Sequence, residues 1–184
     1  GVRVLELGNY IAAPTAGRML ADFGAEVIKV ERPGTGDELR NWRLKAGTTS
    51  MLYRTINRNK KSVTLNLRVK EGQDILRELV RHADVVIENF TPGTLERWNL
   101  GWEDLRRINP RLIMVRVSGY GQTGPYAARA GYGSIGEAMG GMRYLAGDPS
   151  TPPSRVGLSI GDGLAAAFAC LGALVALNRR RETG

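Results

Sequence analysis

A single carboxylate, that of Asp162, has the sequence surroundings expected of a reactive group. It lies in the glycine-flanked turn Gly161-Asp162-Gly163, and the apolar run at 164–171 that follows is typical of a helix. Aspartate at a helix start is most often an N-cap, which accepts backbone N–H groups and favours the positive end of the helix dipole. The position also suits a nucleophile, because a carboxylate stripped of water can compete in attack on an acyl group. From these residues alone, both interpretations stay open.

The composition limits the kinds of partner. The chain has 184 residues, of which 42% are hydrophobic, and a net charge of +8; this length suits one α/β domain of ordinary size. The basic balance favours an anionic partner. The arginines are spread along the chain without a base-stacking or recognition-helix pattern, so a small polyphosphate ligand is favoured over nucleic acid. A non-catalytic module that binds nucleotides or nucleic acid is the alternative from another class.

Cys170 is the only cysteine of the chain. A disulfide framework or a cysteine-based metal site within this sequence is therefore excluded, and we expect no metal, a reduced thiol and a cytoplasmic setting. No uninterrupted apolar stretch approaches the roughly 18 residues of a membrane span. The longest, 164–177, is rich in alanine, and we expect it to be a buried helix and the protein to have no membrane partner.

Strand and helix patterns alternate along the chain and determine where the reactive groups lie. The predicted strands are 2–7, 27–30, 62–67, 84–87 and 112–117, and the predicted helices are 15–23, 71–82 and one or two within 95–108. Repeated strand–helix–strand units favour an α/β fold with an open, mainly parallel sheet and helices on both faces. Ligands of such sheets bind at the carboxyl ends of the strands, which here are 8–10, 31–32, 88–90 and 118–120.

The start of the chain imitates a dinucleotide or methyl-donor site. Gly8 follows the first predicted strand, and the second strand ends at Glu31, an acid in the position that would hold a ribose. However, residues 9–14 contain no glycine, so the backbone lacks the positions that approach a pyrophosphate. We therefore disfavour nicotinamide or methyl-donor chemistry.

Six stretches, taken in order, carry a more specific signal. They are 4–7, 24–34 (GAEVIKVERPG), 59–62 (NKKS), 83–93 (ADVVIENFTPG), 118–125 (SGYGQTGP) and the Gly161-Asp162 turn with its helix. Together they resemble the class III CoA-transferase family, which includes formyl-CoA transferase and α-methylacyl-CoA racemase. The resemblance extends over essentially the whole chain, and several ordered motifs are more specific than any one of them.

The resemblance implies a Rossmann-like large domain and a small domain, in a homodimer whose two subunits are interlocked. Residues 1–184 would form a single Rossmann-like CoA-binding domain, the N-terminal part of a longer enzyme whose small domain and returning C-terminal segment lie outside this sequence. Such a half would expose a broad apolar surface if it were produced alone, and we expect it to aggregate.

The same resemblance implies that CoA or acyl-CoA binds along the carboxyl rim of the sheet as a substrate, with no permanently bound cofactor. Arg32 would lie beside the adenine and 3′-phosphate, and Arg97 would bind phosphate as well, because a guanidinium donates paired hydrogen bonds. The residues implied to line the nucleotide and pantetheine are Leu65, Asn89 and Phe90, and those beside the thioester are Tyr10, Ile11 and Ala12. Formyl-CoA transferase has glutamine at the position of Ile11, which argues against the formyl and oxalate pair.

The implied chemistry is acyl transfer through Asp162. The carboxylate attacks the donor acyl-CoA to give a mixed anhydride, and the CoA thiolate then forms an aspartyl-CoA thioester and releases the donor acid. An acceptor carboxylic acid repeats the steps in reverse, without ATP or metal. The glycine-rich stretch 131–141 and the amides around Gly161 are candidate donors for the tetrahedral oxyanions.

Two residues near the implied acyl pocket discriminate between branches of the family. The racemase branch pairs its aspartate with a histidine at the position of Tyr132, so transfer is favoured and acyl-CoA racemisation is the alternative. Tyr132 could shape the acyl pocket, and Glu137 could orient groups there, although its simpler interpretation is a solvent-facing helix residue. The stretch 131–141 is similar to members that act on succinate, malate or citramalate, and Arg143 or Arg155 could bind a second carboxylate.

Overall fold

The computed structural model describes residues 1–183, and its centre is a five-stranded parallel sheet. The strands within these residues are β1 (Arg3–Glu6), β2 (Glu26–Glu31), β3 (Lys45–Ala46), β4 (Thr49–Ser50), β5 (Lys60–Thr64), β6 (Val85–Glu88) and β7 (Ile113–Arg116). The sheet has the order β5-β2-β1-β6-β7, with all neighbouring pairs parallel, whereas β3 and β4 form a separate antiparallel pair. The strand order reverses at β1, which is where ligands of doubly wound sheets bind.

Helices cover both faces of the sheet, as the sequence predicts. They are α1 (Ala12–Asp22), α2 (Met51–Ile56), α3 (Lys70–Val80), α4 (Thr94–Arg97), α5 (Trp102–Ile108), α6 (Gly133–Met139), α7 (Met142–Leu145) and α8 (Ile160–Thr183), with a 3₁₀ helix at Glu38–Asn41. Leu5 faces a core formed with α3, α4 and α5, while its neighbour Val4 faces a core formed with α1 and α8. Alternating β1 side chains therefore serve two separate apolar layers.

Several predicted boundaries are wrong by two or three residues, among them the starts of α1 and β5. Helix α1 begins at Ala12 instead of residue 15, because Pro14 is accommodated in the first turn, where no backbone N–H is needed. Strand β5 begins at Lys60 instead of residue 62. Its opening lysines indicate a loop in the sequence, but the Lys60 side chain is buried against the Glu6 carboxylate of β1, on the far side of β2.

Helix α8 runs antiparallel to the sheet and determines the position of Asp162. Near its end, the Arg180 guanidinium forms a 2.6 Å ion pair with Asp84, directly before β6. Asp162 is in the first turn, about 27 Å away at the rise of an α-helix. The helix therefore carries Asp162 to the carboxyl edge of the sheet.

Half of the residues of α8 are exposed, so the prediction of a buried helix is wrong for the described residues. Only Ala166, Ala173 and Leu177 are buried, against α1 and the sheet. The exposed apolar side chains are Leu164, Phe168, Leu171, Leu174 and Val175. Within residues 1–183, α8 is also the one helix whose length and composition would allow it to cross a membrane. A core helix can meet the same two criteria, and one face of α8 packs on α1 and the sheet.

Candidate active site

Asp162 lies inside α8 instead of capping it. The helix begins at Ile160, so Asp162 is its third residue, and the N-cap interpretation is wrong. Its carboxylate still lies near the positive end of the helix dipole. Burial raises the pKa of Asp162, the nearby Arg155 charge opposes this, and the Glu137 charge adds to it. In the part of the chain that the structure describes, no hydrogen bond to this carboxylate contributes to its pKa. The carboxylate is thus partly desolvated without being held by donors from these residues.

Glycines let the chain approach Asp162 closely. A Cβ on Gly133 would lie 3.1 Å from Asp162 Oδ2, and a Cβ on Gly161 would lie 3.0 Å from the Gly133 carbonyl oxygen. Two residues before Gly133, a Cβ on Gly131 would lie 2.8 Å from the Gly119 Cα. The start of α6 therefore packs directly on the first turn of α8, and the segment that follows β7 packs on Gly131, just before α6. This brings the predicted glycine-rich stretch to the carboxylate.

Glu137 is buried, so its interpretation as a solvent-facing residue is wrong. It is 3% exposed on α6. Neither of its carboxylate oxygens has a hydrogen-bond partner among the residues that the structure describes. Arg155 Nε lies 3.8 Å from Glu137 Oε2. Asp162, Glu137 and Arg155 thus form one electrostatic group at the carboxyl edge of the sheet.

A cleft of about 590 Å³ opens at the same edge and contains four of the predicted CoA-binding residues. These are Arg32, Leu65, Phe90 and Arg97. Arg32 forms a close ion pair with Glu38, and Arg97 Nη2 donates a 3.0 Å hydrogen bond to Thr94 Oγ1. Both arginines are exposed, so their guanidinium groups are accessible to an anion.

The cleft also contains residues that sequence reasoning missed. Arg68 follows β5 in the rim loop, and Trp98 packs its ring edge-to-face on Phe90 with centroids 5.6 Å apart. Arg68 had an available signal, since it is a basic residue directly after a strand at the carboxyl edge. Trp98 had no such signal, because a tryptophan after a short helix is usually part of the core.

The loop between β1 and α1 lies between the cleft and Asp162. Burial raises the pKa of Tyr10, with further increases from the charges of Glu38, Tyr132 and Asp37, while Arg32 lowers it. Tyr10 therefore lies close enough to interact electrostatically with Arg32 of the cleft and with Tyr132, which precedes Gly133. Ile11 precedes α1 and Ala12 is its first, buried residue. Tyr132 itself is 75% exposed.

Asn89 is placed differently from the other predicted contacts. Its side-chain amide hydrogen-bonds both the N–H and the carbonyl of Asn9, and it does not line the cleft. Within residues 1–183, no group of three or more His, Cys, Asp or Glu side chains is arranged to hold a metal ion. What the edge of the sheet offers is a polyphosphate-sized basic cleft beside a partly desolvated carboxylate.

Comparisons with known proteins bear on the family and the fold of the chain. The chain is 60% identical over its whole length to succinyl-CoA–D-citramalate CoA-transferase of Chloroflexus aurantiacus, covering 46% of that protein. It is 48% identical to the beta subunit of succinyl-CoA–L-malate CoA-transferase of the same organism, again covering 46%. A CAIB/BAIF family protein from Brucella suis superposes over the whole chain with a TM-score of 0.95 at 40% identity, with 50% of that structure covered.

These coverages mean that the chain spans about half the length of the curated relatives it matches. The profile of CoA-transferase family III matches residues 1–184 without interruption. The predicted family is therefore confirmed, as is the predicted fold. The chain belongs to CoA-transferase family III.

Proposed function

We propose that the full protein is a CoA-transferase that moves CoA from an acyl-CoA donor to a carboxylic acid acceptor, with Asp162 as the covalent nucleophile. The observation that carries this proposal is the state of Asp162, a carboxylate whose pKa burial raises and which lies in a helix start lined by glycines. The names of the two similar Chloroflexus proteins support the same reaction class.

In the proposed mechanism, a carboxylate oxygen of Asp162 attacks the thioester carbonyl carbon of the donor, and CoA leaves as its thiolate. The thiolate attacks the Asp162 carbonyl carbon of the resulting anhydride and expels the donor as a free carboxylate. An acceptor carboxylate attacks this aspartyl-CoA thioester and releases the thiolate again. Attack of the thiolate on the acceptor side of the new anhydride yields acceptor-CoA and regenerates Asp162.

Partial desolvation is what makes Asp162 suitable for this chemistry. An aspartate in water ionises near pH ~3.9 and is a weak nucleophile. At Asp162, burial destabilises the charged form, while Arg155 keeps an ionised carboxylate accessible. A carboxylate that lacks hydrogen-bond donors loses less solvation when it attacks a thioester.

The exposed arginines of the cleft support a nucleotide site. We place the adenosine 3′-phosphate beside Arg32 and a second phosphate contact at Arg97, with the pantetheine passing Leu65 and Phe90 towards Tyr10, Ile11 and Ala12. Asn89 supports this path through Asn9. CoA is a substrate in this arrangement, and no permanently bound cofactor is part of the proposal.

We further propose short dicarboxylic acids as the exchanged acids. The citramalate and malate in the names of the similar proteins are of this class. Arg155 lies within the charge field of Asp162 and is half-exposed, so it could receive the second carboxylate. Tyr132 and Glu137 would line the same acyl pocket.

Racemisation of an acyl-CoA finds no support in the positions of the proton-transfer groups. Tyr132 occupies the place at which the racemase branch has a histidine. His82, the only histidine of the chain, follows α3, and its carbonyl accepts a hydrogen bond from Arg3 at the amino edge of the sheet. That edge is the one to which Arg180 of α8 is bound, opposite Asp162.

The remaining features of the proposal concern the whole protein. The exposed apolar side of α8 fits burial by the rest of an interlocked homodimer, because large exposed apolar patches usually mark interaction sites. The free thiol of Cys170 and the proposed acyl-CoA substrates fit a cytoplasmic enzyme without nucleic-acid or membrane partners.

The test is trapping of the covalent intermediate in the full-length protein. With succinyl-CoA and hydroxylamine, mass spectrometry should find a hydroxamate at Asp162, and the Asp162→Ala variant should have neither this adduct nor transferase activity. Asp148→Asn, which changes an exposed loop carboxylate, is the matched control and should leave the adduct unchanged. Full transferase activity in Asp162→Ala would refute the mechanism.

A further inference from the structure

Two lysines and two carboxylates are buried together between β1, β2, β5 and the 3₁₀ helix. We call Glu6, Lys29, Asp37 and Lys60 the ion cluster; their side chains are at most 2% exposed. Lys29 Nζ lies 3.0 Å from Glu6 Oε1 and 2.9 Å from Asp37 Oδ2, and Lys60 Nζ lies 2.7 Å from Glu6 Oε2. The charges balance, and each carboxylate is shared or paired with an ammonium group.

The ion cluster also binds the backbone on both sides of the loop between β1 and α1. Lys29 Nζ donates to the Gly8 carbonyl at 2.8 Å, and Lys60 Nζ donates to the Pro14 carbonyl at 2.7 Å. Between them, the N–H of Tyr10 donates to Asp37 Oδ1 at 3.1 Å. Three of the four charged groups therefore each hold one point of the segment 8–14, which contains Tyr10, Ile11 and Ala12.

The conformation of this segment requires such external support. Tyr10 has φ = 62°, in the left-handed region that residues with a Cβ rarely adopt unless their surroundings determine it. Helix α1 also leaves space for the cluster, since a Cβ on Gly17 would lie 2.0 Å from Glu6 Oε2. The loop and the first turns of α1 are thus shaped around the buried charges.

Stability alone does not account for the ion cluster. Removing ions from water is costly, and well-packed apolar side chains in their place are often neutral or stabilising. What apolar side chains cannot provide is a set of directional bonds to the Gly8 carbonyl, the Tyr10 N–H and the Pro14 carbonyl. The cluster therefore specifies one shape of segment 8–14.

We propose that Lys29, Asp37 and Lys60 are positioning residues for acyl transfer, which act through the backbone of segment 8–14 to hold the surface that receives the thioester end of acyl-CoA. This rests on the proposed function, because that function places the thioester beside Tyr10, Ile11 and Ala12. The residues touch neither substrate nor Asp162. Their effect is on the rate at which a bound thioester reaches the carboxylate, since small misplacements of reacting groups slow a reaction strongly.

The test compares Asp37→Asn and Lys60→Gln with Asp84→Asn in the full-length protein. Asp84→Asn removes a partly buried ion pair with Arg180 at the opposite edge of the sheet, and so controls for loss of stability. Hydrogen exchange by mass spectrometry on the unliganded protein should show peptides of 8–14 exchanging at least about tenfold faster in the two cluster variants, and unchanged in the control. This readout does not depend on activity.

Single-turnover kinetics provide the second readout. At saturating succinyl-CoA, acylation of Asp162 should slow by about tenfold or more in Asp37→Asn, whereas the dissociation constant of CoA should change by less than about threefold. Lys60→Gln leaves Lys29 to neutralise Glu6 and should give the same split if Asp37→Asn does not fold. Asp148→Asn, which changes an exposed loop carboxylate, should acylate at the wild-type rate.

The outcomes separate this inference from the proposed function. Exchange of segment 8–14 that matches the Asp84→Asn control, or acylation at the wild-type rate in both cluster variants, would overturn the positioning role. A wild-type protein that forms no adduct at Asp162 would instead overturn the proposed function, while the exchange rates would still decide whether the ion cluster holds the segment.

Discussion

Asn89 encloses the backbone of Asn9 with two hydrogen bonds from one side-chain amide. Oδ1 accepts the Asn9 N–H at 2.9 Å, and Nδ2 donates to the Asn9 carbonyl at 2.8 Å. The two residues follow the neighbouring strands β6 and β1, so the pair ties together two strand ends at the carboxyl edge. Gly8 fits against the same amide, where a Cβ would lie 2.9 Å from Asn89 Oδ1.

Asn89→Asp should weaken both folding and substrate binding. Aspartate keeps an acceptor for the Asn9 N–H but places a second oxygen against the Asn9 carbonyl, at a cost of roughly 1–3 kcal/mol for the lost bond and the unpaired group. We expect a higher KM for acyl-CoA in the full-length enzyme, together with a lower urea midpoint.

Asn109→Asp is the matched control for this variant. Asn109 Nδ2 donates to the carbonyls of Val80 and Ala83 at the amino edge of the sheet. The control should therefore lose stability to a similar extent and keep the wild-type KM. Equal KM values in both variants would show that Asn89 has no specific part in substrate binding.

The acid limb of the transferase rate should report the surroundings of Asp162. The nucleophile is the carboxylate form, so acylation should slow as the pH falls through a pKa that burial has raised. Glu137→Gln removes a negative charge that raises this pKa, and its acid limb should move to lower pH. Arg155→Gln removes a positive charge that lowers it, and its limb should move to higher pH.

The measurement is the pH dependence of single-turnover acylation. Asp148→Asn is the control, because it removes a carboxylate that is not near Asp162, Glu137 or Arg155. Shifts of the same sign in Glu137→Gln and Arg155→Gln would contradict the electrostatic arrangement described here.

Arg32→Gln should remove the preference for a 3′-phosphate. Hydrogen bonds to charged groups contribute about 1.5–3 kcal/mol, so the affinity for CoA should fall at least roughly tenfold, while the affinity for dephospho-CoA should change little. Isothermal titration of the full-length protein with both ligands gives the comparison. Arg106→Gln is the control, because it alters an exposed ion pair with Glu103 on α5, and it should leave both affinities at their wild-type values. An equal loss of affinity for both ligands in Arg32→Gln would place the 3′-phosphate elsewhere.

Glu31 should make the protein acid-sensitive. Burial raises its pKa, but hydrogen bonds from Arg40, the Asp37 N–H, Ser62 and Tyr53 outweigh this and hold it at about 2. The pKa of a glutamate in the unfolded chain is near ~4.3. The ionised Glu31 carboxylate therefore contributes up to about 3 kcal/mol to the free energy of unfolding above that pH, and this contribution is lost as the pH falls towards 2. Glu31→Gln should be less stable at neutral pH and should show a flatter acid dependence in urea titrations.

Glu103→Gln, on the exposed surface of α5, is the corresponding control and should follow the wild-type curve. A Glu31→Gln variant with the wild-type acid dependence would mean that another group carries the effect.

Local patterns in the sequence predict the strands and helices whose side-chain periodicity matches the side that is buried. The β-branched runs of β2, β6 and β7 and the amphipathic α3 were identified because their periodicity reflects burial on a sheet or a helix face. The start of β5 does not follow from local patterns, because Lys60 is compensated by Glu6, which is far away in the chain and adjacent in space. The surroundings of Glu137 do not follow from them either, because Arg155, which faces its carboxylate, lies outside α6 in the loop before α8.

The site residues divide in the same way. The family resemblance implies Arg32, Leu65, Phe90 and Arg97 as contacts of one ligand, and the structure lines one cleft with all four. Each of them follows a strand or lies in the first helix after one, but their role in binding stays a prediction. The roles of Asn89 and Asp37 depend on hydrogen bonds to one particular backbone N–H or carbonyl, and no spacing in the sequence encodes these.

The ion cluster has a consequence for how the sheet aligns. Glu6 and Lys29 are direct partners across β1 and β2, and Lys60 comes from β5 on the far side of β2. If β1, β2 or β5 shifted by one residue, its charged side chain would point into the apolar core on the opposite face of the sheet. Misaligned pairings would therefore be disfavoured, so Glu6, Lys29 and Lys60 also specify the register of the three strands, independently of any substrate.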